Sequence, residues 1–242
     1  MKDAIAEFAE TTGVTFEYSL CEWGLEQPWV WGRNVGQSWR IDNDIKPFWD
    51  SISLIITQAS YNYWASNFYG HNDLDILEVG NTGKGIPPGN LTYEETKSHF
   101  TAWALLKSPL IIGTDLTTAT NETISILGNR DIIKINQDPH VGESISPFRW
   151  GNNSYQVGNP NYPQVYWPSN PTMPAQYWSG NSSYGVVIML LNVQDTPQEM
   201  SFALVESWAL RAGRQYQVYD MWQHINLGVA VRYVLRFLIP RP

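Results

Sequence analysis

The sequence predicts an α/β chain: a mostly parallel sheet with helices outside it over residues 1–140, then an antiparallel β domain over 141–242. Two observations carry this. Strand-like and helix-like runs alternate four times before residue 140, which is the pattern of a parallel sheet crossed by helices. Beyond 140, Gly, Pro, Asn and Tyr become frequent and short β runs appear.

In order along the chain, residues 2–11 place Ile5 and Phe8 at helical spacing, and Gly13 stops that helix. "VTFEYSL" (14–20) follows as a β-rich run leading into Cys21-Glu22-Trp23-Gly24, and a polar, Trp-containing loop comes next. "SWRIDND" is the second strand. "IKPFWDSISLIITQAS" (45–60) then sets Phe48, Ile52, Ile55 and Ile56 on one helical face. "HNDLDILEVGN" (71–81) is the third strand, and the Gly/Pro-rich "GKGIPPGN" is a loop. Thr92 and Glu95 form a capping-box pattern for the helix "YEETKSHFTAWALLKS". "PLIIG" is the fourth strand, and residues 122–136 form one more helix. The later runs "YGVVIMLLNV" and "RQYQVYDMW" belong to the β domain.

Composition narrows the function. Apolar residues make up 43% and charged residues 16%, with 12 Trp and 13 Tyr, which is a globular composition rich in aromatic faces that can stack on sugar rings. A formal net charge of -8 is poor electrostatics for nucleic acid, which is not expected as a partner. No run of 18 apolar residues occurs, so no membrane helix is expected. The first residues, "MKDAIAEFAETTG", lack the continuous apolar core of a secretory signal. Even so, Asn90, Asn121, Asn152 and Asn181 each open an N-x-S/T glycan acceptor pattern, a mild excess over chance. Cys21 is the single cysteine, so no disulfide closes within the chain.

Acids gather at the C-terminal ends of the predicted strands: Glu22, Asp44, Asp73 and Asp75. In β/α folds that edge is where catalytic groups sit. Each acid has a plainer reading: Asp44 as an N-cap for a helix starting near Ile45, Asp75 as a partner for turn amides, Glu22 as a solvated loop acid. Their repetition at successive strand ends favours a site. Clustered carboxyls without His/Cys ligand spacing suit glycoside hydrolysis, in which one acid protonates the leaving oxygen and a second carboxylate attacks or activates water. His71 and His140 have no partner at ligand spacing, so no metal and no cofactor is called for. There is neither a P-loop nor a G-x-S-x-G elbow.

These stretches resemble the melibiase-type α-galactosidases, retaining enzymes of glycoside hydrolase family twenty-seven. The likeness runs through "YSLCEWG", "SWRIDNDI", "HNDLDILEVGN", "SHFTAWALLKSPLIIGTDL" and "ILGNRDIIKINQDP", and continues into "YQVYDMW" and "LGVAV". The resemblance implies the C-terminal half of a (β/α)8 TIM barrel followed by an antiparallel β-sandwich. It implies that Asp44 is the general acid/base, that Arg40 binds sugar, and that Asp75 hydrogen-bonds galactose hydroxyls. Glu22 and Trp23 fall near the sugar 2-hydroxyl, and Glu22 followed by Leu25 favours galactose over its N-acetylamino relative. The implied substrate is a terminal α-galactoside, with no nucleic acid and no membrane as partner, and the full-length protein is expected to be extracellular.

The family's nucleophilic Asp lies upstream of "YSLCEWG", so the resemblance implies an N-terminally truncated chain, inactive alone, in which Met1 matches an internal methionine. "RYVLRFLIPRP" departs from the family's ending. Two alternatives stand beside this reading: an α-N-acetylgalactosaminidase, and a galactose-binding pseudoenzyme without catalysis.

Overall fold

The structure is a computed structural model that describes residues 1–81, 90–150, 174–194, 196–232 and, as backbone only, 237–239. Most of the "GKGIPPGN" loop, the acceptor pattern at Asn152 and most of "RYVLRFLIPRP" lie outside the described residues.

Helix α1 spans Lys2–Thr12 and ends on Gly13, whose φ of 71° is the left-handed cap the sequence suggested. Strand β1 (Ser19–Leu20) is much shorter than "VTFEYSL", because Val14 and Phe16 lie exposed and only two residues find a ladder partner. The loop that follows contains a short helix, α2 (Pro28–Trp31), with Pro at its start where a missing N–H does no harm. β2 (Ser38–Arg40) pairs parallel with β1 on one side and with β3 (His71–Asp73) on the other.

Helix α3 runs Trp49–Asn62 and buries Ile52, Ile55 and Ile56, as the periodicity predicts. It starts four residues later than expected. Lys46 precedes Pro47, which disfavours helical backbone there, and Phe48 rather than Asp44 is the N-cap. Asp44 is thereby left free of any capping role.

Thr92 caps α4 (Tyr93–Leu105) in a complete capping box with Glu95. "PLIIG" contributes only a single parallel bridge, Ile112 to Leu77, in place of the fourth strand expected. The helix expected over 122–136 is two: α5 (Asn121–Leu127), closed at Gly128, and α6 (Arg130–Asn136), opened by Asn129. The Asn129 side chain accepts from the Asp131 and Ile132 amides and so caps a second helix.

The β region is antiparallel. β4 (Ser146–Arg149), β5 (Tyr177–Ser182) and β6 (Gly185–Leu190) form one sheet. β7 (Gln198–Met200) pairs with β10 (Phe237–Ile239), and β8 (Tyr216–Asp220) pairs with β9 (Ile225–Ala230). Tyr177, Met200, Phe202, Leu204 and Leu210 make a small core between these layers. A larger one, built on Trp39, Trp103 and Trp178, runs from the parallel sheet through α3 and α4 into β5.

The two regions are stitched by side chains. Asn129 Nδ2 donates to Met221 O at 3.0 Å, Trp222 Nε1 donates to Thr101 Oγ1 at 3.1 Å, and Asp138 accepts from the Ser183 amide at 2.6 Å. Asn129 thus serves as both helix cap and tether. Asn129→Ala is expected to lower stability by about 1–2 kcal/mol, read as a fall in the urea midpoint with an unchanged slope; no change would mean neither role matters.

Candidate active site

Parallel register aligns the strand ends. Leu20 faces Trp39, which faces Asn72, and Arg40 faces Asp73, so the residues following β1, β2 and β3 emerge along one edge of the sheet. Alternation then sorts the side chains. Trp39 and Asn72 share a face, joined by a 2.7 Å bond from Trp39 Nε1 to Asn72 Oδ1, while Arg40 and Asp73 point to the other.

Arg40 is the hub. Its guanidinium is nearly buried, and Nη2 lies 2.7 Å from Asp75 Oδ2 and 3.1 Å from Asp44 Oδ1. The same nitrogen donates to the Asp42 carbonyl at 3.3 Å, and Nη1 lies 4.0 Å from Cys21 Sγ. A charge taken out of water is tolerable only with partners of this kind. Asp42 takes part through its backbone alone, since its carboxylate accepts from Asn43.

The two acids on Arg40 differ in surroundings. The Asp75 side chain is 13% exposed and that of Asp44 is 70% exposed. Asp75 is pinned: Ile45 N donates to Oδ2 and Ile76 N to Oδ1, each at 2.8 Å. Its backbone sits at a φ of 79°, unusual for a residue with a side chain, and is held from both ends. Its amide donates to Asp73 Oδ1 at 2.8 Å, and its carbonyl accepts from Trp103 Nε1 at 2.7 Å. Burial pushes the Asp73 carboxyl above the ordinary carboxylate value, against the pull of the Asp75 amide and the Arg40 charge.

Trp23 reaches Asp44 from the first strand end, its Nε1 donating to Oδ1 at 3.1 Å. The turn that delivers it is tight. Trp23 has a φ of 61°, and a Cβ on Gly24 would lie 2.3 Å from the Ile41 carbonyl, so only glycine lets the turn press against the chain leaving β2. One face of Trp23 stays open to solvent at 47% exposure, available for stacking.

Of the five residues to which the resemblance gives a site role, Trp23, Arg40, Asp44 and Asp75 converge through direct hydrogen bonds. Glu22 does not join them: its Oε2 accepts from the Glu26 amide at 2.7 Å, and its Oε1 is buried without a partner among the described residues. Trp103 was missed. Its signal was present, since a buried indole needs an acceptor for its N–H, but the acceptor, Asp75 O, lies 28 residues away in sequence. Beside the cluster is a polar cavity of about 400 Å³ lined by Pro47, Glu78, Asn81, Thr114 and Asp115 among others, and none of the five predicted residues lines it.

Comparison with known proteins settles the kinship. A family model described as alpha galactosidase A matches residues 3–138. The chain belongs to this α-galactosidase family. A second model, the alpha galactosidase C-terminal beta sandwich domain, matches residues 172–235. Among curated relatives of this α-galactosidase chain, "Probable alpha-galactosidase B" of Talaromyces emersonii is 37% identical over 236 residues, covering 94% of this chain and 48% of its own. Among solved structures, alpha-galactosidase I from Mortierella vinacea superposes with a TM-score of 0.81 at 27% identity, over 99% of this chain and 59% of that one. The Saccharomyces cerevisiae α-galactosidase, solved with raffinose, gives 0.71 at 27% identity, over 91% and 51%.

The fold is accordingly a partial TIM barrel followed by a β-sandwich. This α-galactosidase family chain spans about half the length of the curated relatives it matches.

Behind the site, His99 packs edge-on against Trp103 with ring centroids 4.1 Å apart, and its Nε2 accepts from the Glu78 amide at 2.9 Å. Burial lowers its pKa from 6.5 to about 3. The unfolded imidazole therefore binds a proton near pH 6.5 and the folded one only near pH 3, so stability falls as pH drops through that window. The slope is up to about 1.4 kcal/mol per pH unit. Urea unfolding between pH 6.5 and 4.5 should show His99→Asn losing less stability on acidification than the parent chain; parallel pH profiles would rule out His99 as the source.

Proposed function

We propose that this chain is part of a retaining α-galactosidase that removes terminal non-reducing α-D-galactose from oligosaccharides of the melibiose and raffinose type or from galactomannan. The observation that carries the reading is Asp44: a solvent-accessible carboxylate at a strand end, held on one oxygen by Arg40 and Trp23. The remaining oxygen is free to face a glycosidic oxygen.

In this reading Asp44 protonates the leaving oxygen, then takes the proton of the water that cleaves the galactosyl-enzyme intermediate. Arg40 and Asp75 bind galactose hydroxyls, Trp23 packs against the ring, and Glu22 lies by the 2-hydroxyl. The nucleophilic carboxylate comes from barrel strands outside these 242 residues. The barrel portion ends near residue 140, and the whole protein is an extracellular glycoprotein. Neither a cofactor nor a metal takes part.

The present chain is expected to hydrolyse nitrophenyl α-galactoside at the background rate, and turnover abolished by Asp44→Asn would contradict the missing-nucleophile reading. In a version extended by the preceding barrel strands, Asp44→Asn should lower kcat by roughly 10²–10⁴-fold. The product should retain the α configuration, as followed by NMR, and an inverted product would overturn the mechanism. Calorimetry with galactose on the present chain addresses the pseudoenzyme alternative: saturable binding lost in Arg40→Ala would show that the half-site recognises sugar without catalysis.

A further inference from the structure

From Leu74 to Glu78 every backbone amide donates to a partner. Leu74 N donates to Ser108 Oγ at 3.0 Å, Asp75 N to Asp73 Oδ1 at 2.8 Å and Ile76 N to Asp75 Oδ1 at 2.8 Å. Leu77 N donates to Ile111 O at 2.7 Å, and Glu78 N to His99 Nε2 at 2.9 Å. The Asp75 carbonyl accepts from Trp103 Nε1 at 2.7 Å. Two of these ties come from one turn of α4. His99 and Trp103 stand four residues apart on one helix face, both fully buried, with ring centroids 4.1 Å apart. Imidazole and indole therefore grip the two ends of Asp75–Glu78, the stretch that opens with a left-handed φ of 79°.

Packing alone does not account for an imidazole at position 99. A backbone N–H can only donate, so Nε2 accepts and the ring proton sits on Nδ1. Nδ1 is buried without a partner among the described residues. The ring thus gives up the solvation of one nitrogen to place an acceptor with the other, a cost that an apolar side chain of that size would not carry. Burial lowers the His99 pKa to about 3, so the acceptor persists into acid.

We propose that His99 is a positioning residue for Asp75: by holding the Glu78 amide, opposite Trp103 on the Asp75 carbonyl, it fixes the turn that aims the Asp75 carboxylate at the sugar. His99 touches no sugar itself. The consequence for the site is direct, because Asp75 Oδ2 lies 2.7 Å from Arg40 Nη2 and accepts from the Ile45 amide at 2.8 Å. A turn that relaxed between 75 and 78 would swing that oxygen off the guanidinium. The proposal rests on the galactose-binding reading of Asp75 above.

The first test is amide hydrogen exchange on the present chain, with three variants. His99→Phe keeps a buried ring and loses the acceptor, His99→Asn is too short to reach the Glu78 amide, and His99→Gln carries an oxygen near the place of Nε2. Exchange over Leu74–Glu78 should quicken about 10-fold in His99→Phe and His99→Asn while Ile52–Ile56 of α3 keeps its rate, and His99→Gln should follow the parent. Uniform quickening along the chain would make His99 a packing residue only, and unchanged exchange at 74–78 would show that it holds nothing; either overturns the proposal.

The second test uses the version extended by the preceding barrel strands. With nitrophenyl α-galactoside, His99→Phe should raise KM about 10-fold with little change in kcat, and His99→Gln should restore KM. A fall in kcat at unchanged KM would overturn the assignment to Asp75. An extended parent chain without turnover would sink the galactosidase reading alone, since the exchange pattern still decides whether His99 holds the turn.

Discussion

The site depends on one buried guanidinium. Arg40 ends β2, and its partners arrive from three directions: Asp75 beyond β3, Asp44 four residues on, and Cys21 after β1. A cation in that position costs several kcal/mol to desolvate unless acceptors surround it, so it draws three strand-end loops into a single constellation. Asp75 is positioned for this by a backbone that few residues adopt, and the Asp73 carboxylate and the Trp103 indole lock that backbone in place. The apolar packing of α4 against the sheet is thereby coupled to the placement of a polar group at the strand end.

The exposure of the two acids on Arg40 separates their parts. Asp75 is enclosed and its two oxygens are occupied by backbone amides as well as by the guanidinium, an arrangement for binding with little freedom. Asp44 is open to solvent and tethered through one oxygen, an arrangement that leaves room for a proton to arrive and leave. Two carboxyls on one cation thus differ in exposure and in the number of amides that hold them.

The β-sandwich contributes to this indirectly. The β8–β9 turn lies on α4 and α6 through Trp222, Met221 and His224, the last bonded to Asp131 at 2.8 Å. Trp222 also packs against Phe100, one turn of helix from Trp103. The helix that holds Asp75 is therefore covered on its outer side by the second region. That is a physical reason for the two to occur together.

Local features were legible in the sequence. The cap at Gly13, the Thr92–Glu95 capping box and the buried face of α3 each depend on residues within one or two turns of one another. The break between α5 and α6 also had a local sign, Gly128-Asn129, which the apolar periodicity on either side obscured. The acids at strand ends could be named because strand, loop and helix alternate plainly, and the Arg40–Asp44 spacing is itself short. Strand lengths could not be read, since a ladder needs a partner and "VTFEYSL" and "PLIIG" find one for only a few residues. Nor could the separation of Glu22 from the Arg40 cluster, which follows from a turn that gives its carboxylate to the Glu26 amide. What the sequence determined by itself was which elements form and which residue types stand at their ends, because those are short-range properties of the chain. Which of those residues touch was decided by parallel register and by the burial of Arg40 and Trp103, because both bring together groups some thirty residues apart.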